Sequence, residues 1–281
     1  MKKHAICIMA HKDAQQINKL IELLDHPQTD IYLHVDKKSQ IVIEKEIKSP
    51  RQSGFCLVNR HDVRWGDISQ IDTEFELFKS VMKSNSEYAR VHLISAQDMP
   101  VKHIDYILQY FEQPENSNKE FIEFSENAAA MSRIKYYWFC TKHMRVGFIY
   151  KAIRHSMLLL QKLLHVNRLK NLPLEYKMGS NWVSLTYAAM QYIINEYPKY
   201  QYIFKLGSCV DELYKQMILG ANEEFEFSIK GNLRYAKFQG SSPELITKEK
   251  VTQLVSNPNI LFARKFDWAH QDSIDALLAL L

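Results

Sequence analysis

The chain has 281 residues, 46% hydrophobic and 12% aromatic, ample for one large core, and its net charge is +4. Its four cysteines lie far apart with no CxxC pair and no Cys/His cluster, which argues against a zinc knuckle or a disulfide framework and fits a reducing compartment. The apolar stretch Ala5 to Met9 is too short for a signal-peptide core or a membrane span, so a cytoplasmic protein is expected.

In chain order, "HAICIMAH" (4–11) reads as a buried strand and "INKLIELL" (17–24) as an amphipathic helix. "DIYLHVDKKS" (30–39) and "FCLVNR" (55–60) read as further strands. Strand, helix, strand, strand opens a doubly wound, mostly parallel α/β sheet, whose ligands sit at the carboxyl ends of the strands. That rule places His11, His34 and Asp36 at a site. A helix over 67–85 follows, then a strand over 89–101 that runs out into Ser95, Gln97 and Asp98. A helix at 103–112, a strand at 120–124 and, over 179–198, a short strand or turn feeding a helix come next. In "GSCVDELYKQMILG", Ser208 and Asp211 have capping-box spacing and Gly220 suits a helix end, so a helix over 209–219 is expected, with Asp211 in its cap. Glu212 is left without a structural task. A strand at 231–238, a helix at 247–256 and a strand at 261–267 close the ordered part. With eight Gly, eight Pro and no repeat or linker, residues 1–281 form a single domain.

The charge is uneven. Between Met131 and Lys177 there are ten Lys or Arg against one acid, Glu175, threaded with aromatic and apolar residues. Such a stretch is a solvated helical face, an anionic-membrane contact or a nucleic-acid surface, and no nucleic-acid recognition motif accompanies it.

There is no GxGxxG or GxxxxGK[ST] loop, and no Asp-x-Asp to hold a metal against a diphosphate. Fixed cations can stabilise a diphosphate leaving group instead, and Arg234, Arg264 and Lys265 are the candidates. Strand alternation sends Arg264 and Lys265 to opposite faces.

The blocks "HVDKKS", "VRWGDISQIDTEFEL", "LISAQDMPVK", "GSNWVSLT", "VDELYKQMIL" and "LFARKFD" occur in order across residues 4 to about 268. This series resembles the core-2/I-branching β-1,6-N-acetylglucosaminyltransferase family, which includes the peptide xylosyltransferases. The resemblance implies a GT-A type fold and inverting, metal-independent transfer from a UDP-sugar, with no cofactor. It matches Glu212 to the general base, Lys265 and Arg234 to the cations on the diphosphate, and Asp36, with His11 nearby, to the nucleoside contact. Asp98, Ser180, Trp182 and Asp211 are matched to sugar-facing positions. The animal members' membrane anchor and disulfide cysteines are missing, so a compact bacterial relative is expected. It would move GlcNAc from UDP-GlcNAc to a glycan hydroxyl, lipid-linked in one reading, during surface polysaccharide assembly at the inner face of the plasma membrane. The alternative is a non-catalytic glycan-binding or scaffold protein that keeps the fold.

Overall fold

The structure is a computed structural model that describes residues 2–84, 87–125, 127–145, 147–170, 172–240 and 242–281. Its centre is a five-stranded sheet in the spatial order Gly54–Leu57, Thr29–Val35, His4–Ala10, Arg90–Ser95, Val183–Leu185. The first four strands run parallel and Val183–Leu185 is antiparallel to Arg90–Ser95. Strand alternation splits the apolar side chains between two cores. Ile6, Ile8, Ile31 and Leu33 pack on one face, Ala5, Cys7, Val91 and Leu93 on the other. Both faces are covered, as a parallel sheet requires. The helix Ala14–Leu24 buries Ile17, Leu20, Ile21 and Leu24, a single stripe at helical spacing. This mixed α/β architecture, a mostly parallel sheet flanked by helices, is of the GT-A type.

Register fixes where the site can be. Met9 stands opposite both His34 and Ser95, so three strands end level and release His11, Asp36 and Gln97 at one edge. A smaller sheet crosses that edge. Its strand Phe262–Arg264 pairs in parallel with Arg234–Ala236 and antiparallel with Met99–Pro100.

Three expectations from the sequence need correction. The 209–219 segment is no single helix: a 3-10 turn, Val210–Glu212, is followed by an α-helix, Tyr214–Leu219. Neither has a side-chain cap: Cys209, which precedes the 3-10 turn, adopts left-handed backbone angles (φ 48, ψ 46), and Leu213, which precedes the helix, has no polar side-chain atom to accept a hydrogen bond. The 120–124 strand shrinks to Lys119–Glu120 plus single bridges at Phe121 and Ser125. The ordered part also continues past 267 into a helix, Gln271–Leu278, which buries Ile274 and Leu277 beside the helix Lys248–Ser256. Among the described residues, no helix is long and apolar enough to cross a membrane.

Candidate active site

A cavity of about 1270 Å³ opens at the carboxyl edge of the sheet. Its wall includes His11, Asp36, Ser180, Trp182, Asp211, Glu212, Arg234 and Lys265, drawn from segments far apart in the chain. Of the site residues expected from the sequence, Asp98 alone is not in the wall. It is 2% exposed and lies beneath, accepting from the Ser95 backbone N–H at 2.8 Å and standing 3.3 Å from Arg264 Nε. Burial raises its pKa, with Arg264 opposing.

The two adjacent carboxylates take different tasks because successive residues of a 3-10 turn point about 120° apart. Asp211 turns inward, where Gln70 Nε2 donates to its Oδ2 at 2.8 Å while Oδ1 is buried without a partner. Burial, then the Glu212 and Glu74 charges, push its pKa up to about 7, against the pull of Lys215. Glu212 faces the cavity with its side chain 35% exposed and paired to Arg133. Burial alone would lower the Arg133 pKa, but the Glu212 charge raises it above its ordinary value. Arg133 also lines the cavity, and the sequence offered no sign of it beyond its place in the basic stretch.

The backbone around Glu212 is held closely. Its carbonyl accepts from the Gly179 N–H at 3.0 Å, and a Cβ at Gly179 would fall 1.8 Å from the Glu123 carbonyl oxygen, so only glycine fits. Gly66, at φ +75, supplies the carbonyl that accepts from Cys209 N–H at 3.0 Å. Below the turn, Lys215 and Glu74, both fully buried, pair at 2.6 Å. Tyr214 donates to the same Glu74 oxygen at 2.6 Å, and Lys215 reaches the Asp211 carbonyl at 3.2 Å and Asn181 Oδ1. This cluster ties the Glu212 turn to the helix Ser69–Lys83 and to the 179–182 loop.

The cations differ in what they have free. The Arg234 guanidinium donates to the Val183 carbonyl at 2.6 Å, Ser184 Oγ at 3.0 Å and the Asn232 carbonyl, and lies over the Phe262 ring. Burial lowers its pKa to about 9, with Asp98 opposing. Arg234 therefore spends part of its guanidinium on the protein, while its Nε is buried without a partner and the residue lines the cavity. Arg264 and Lys265 both reach the wall, although strand alternation would have sent them to opposite faces. Arg264 lies between Asp98 and the face of Trp182, 4.8 Å from the ring centroid. Lys265 has no ion-pair partner among the described residues.

At the far end, Lys38 grips both oxygens of Asp36 at 2.9 Å and reaches Asp62 at 2.6 Å. Burial, reinforced by His61, lowers the His34 pKa to about 4, so this ring is neutral, and its Nε2 accepts from the His61 N–H at 2.9 Å. His11 is likewise lowered, by burial and then by Lys12. Among the described residues, no group of three or more His, Cys, Asp or Glu side chains is placed to hold a metal ion.

A large cleft at the carboxyl edge of a mostly parallel sheet, lined by both a partly exposed carboxylate and a lysine with no ion-pair partner among the described residues, is where an α/β fold of this kind binds its ligand. A family model described as "Core-2/I-Branching enzyme" matches residues 5–258, and the chain belongs to that family of glycosyltransferases. No curated protein matches it in sequence. Among solved structures it is similar to the crystal structure of mouse xyloside xylosyltransferase 1 in its apo form. The identity is 10% and the TM-score 0.41, over 96% of this chain and 99% of that one.

Proposed function

We propose that this glycosyltransferase moves a sugar from a UDP-sugar, GlcNAc in the first instance, to a glycan hydroxyl with inversion and without a metal. Glu212 takes the proton of the acceptor hydroxyl as that oxygen bonds to the anomeric carbon. The bond from that carbon to the diphosphate breaks, and its electron pair leaves with UDP. Lys265, helped by Arg264, neutralises the charge that develops there. Asp36 and His11 face the nucleoside; Ser180 and Trp182 face the sugar. The observation that carries this reading is that Glu212 and Lys265, 53 positions apart, share one cavity with Asp36 and His11. A lipid-linked glycan in surface polysaccharide assembly is the acceptor this reading favours, reached by peripheral contact with an anionic membrane.

A panel of UDP-sugars scored for UDP release tests the reading. UDP-GlcNAc is expected to support release, and the rate is expected to be the same in EDTA. Loss of activity in EDTA that Mn²⁺ restores would overturn the metal-free mechanism. Lys265→Ala is expected to weaken UDP binding by roughly tenfold to a hundredfold, the worth of a charge-assisted hydrogen bond. Calorimetry reads this directly, and an unchanged affinity would remove Lys265 from the diphosphate.

A further inference from the structure

The helix Phe148–Leu163 is built inside out. The side chains it buries against the protein are polar: Arg154 donates to the His143 carbonyl at 3.0 Å and the Met144 carbonyl at 3.2 Å, and Gln161 exchanges hydrogen bonds with the Tyr137 backbone. Its large apolar side chains face outward. Phe148 is 85% exposed, Ile149 71%, Leu159 60% and Leu163 67%, and Leu160 and Leu164 are exposed beside them. A surface helix in water carries the opposite pattern, so this stripe is made for a partner.

Charge identifies the partner. Lys151, His155 and Lys162, at helical spacing, line one edge of the apolar stripe, and no acid lies on the helix or anywhere from Met131 to Leu174. An apolar face bordered by cations, with no anion to repel phosphate, is complementary to an anionic lipid surface: the cations meet headgroups while the leucines enter the acyl boundary. We propose that the Phe148–Leu163 helix docks the enzyme on an anionic bilayer and brings the cavity mouth to that surface.

The helix is coupled to the cavity through its own anchor. Arg154 holds the carbonyls of His143 and Met144, and Arg145, the next residue, stacks 4.2 Å over Trp65, with both Arg145 and Trp65 in the cavity wall. A bilayer under the helix therefore lies beside the cavity's rim, where an acceptor glycan on a lipid carrier would be presented. This last step rests on the transfer reading; the docking does not.

The test is flotation of the full chain with vesicles of phosphatidylcholine alone and of equal parts phosphatidylcholine and phosphatidylglycerol. Binding is expected to the mixed vesicles, to weaken with salt and to be slight on the neutral ones. Lys151→Gln with Lys162→Gln is expected to weaken binding to mixed vesicles about 25-fold, roughly fivefold per cation. Leu159→Ser with Leu163→Ser is expected to abolish flotation. These side chains are exposed, so both variants are expected to melt with the wild type and to release UDP at the wild-type rate without vesicles. Equal binding to both vesicle types, or flotation unaffected by the substitutions, overturns the docking. So does a dimer in solution that the leucine variant dissociates while wild-type protein ignores vesicles, since the stripe then serves a second copy. Absence of UDP release by the wild type overturns the transfer reading and leaves the flotation result standing.

Discussion

Glu212→Gln is expected to lower kcat by roughly a thousandfold, within the range measured for removal of a general base, while UDP binding by calorimetry stays at the wild-type value. The amide keeps the size and the partial exposure of the carboxylate but cannot take a proton. Arg133 sharpens the expectation. Its guanidinium pairs with the Glu212 carboxylate and holds it in the cavity wall. The neighbouring acid supplies the control. Asp211 is buried, hydrogen-bonded to Gln70 and raised to about 7, so it is placed to hold the turn rather than to meet an acceptor. Asp211→Asn is expected to retain most of the turnover. A Glu212→Gln enzyme within tenfold of wild type, with Asp211→Asn inactive, would exchange the two roles.

The readable part of this site was the part set by strand ends. An apolar run that turns polar marks the carboxyl edge of a buried strand, and such runs delivered His11, Asp36 and Gln97 to one rim because their strands end in register. The Glu212 turn was harder. Ser208 and Asp211 have the spacing of a cap, but the left-handed backbone at Cys209 breaks the geometry, and no residue type announces that conformation in a cysteine. Arg234 shows a different limit. An arginine on a strand near a site reads as a ligand cation, and only three-dimensional contacts reveal that the Val183 and Asn232 carbonyls and Ser184 Oγ take part of its N–H groups while Nε is left without a partner. Arg133 and the inverted helix after it were hidden for the same reason: the charge run was visible, but which face would be turned inward was not.

The second large effect is on stability. Lys215→Met is expected to destabilise the protein by about 3–5 kcal/mol, because it leaves the Glu74 carboxylate buried with no compensating charge. Glu74→Gln is expected to do comparable harm, stranding the Lys215 ammonium and weakening the acceptor that Tyr214 uses. Each single variant is expected to melt roughly 10 °C below the wild type. Combining them removes both charges at once, so the double variant should be more stable than the sum of the single losses predicts, a coupling of about 1–3 kcal/mol. Simple additivity in thermal melts would show that the pair is not a unit. The consequence reaches the chemistry, since Lys215 also holds Asn181 and the Asp211 carbonyl, directly beneath the cavity wall. A folded double variant should therefore lose kcat even though neither residue touches the substrates, because the turn that aims Glu212 loses its tie to the helix Ser69–Lys83. Wild-type kcat in that variant would mean the turn is positioned by its backbone bonds to Gly66 and Gly179 alone.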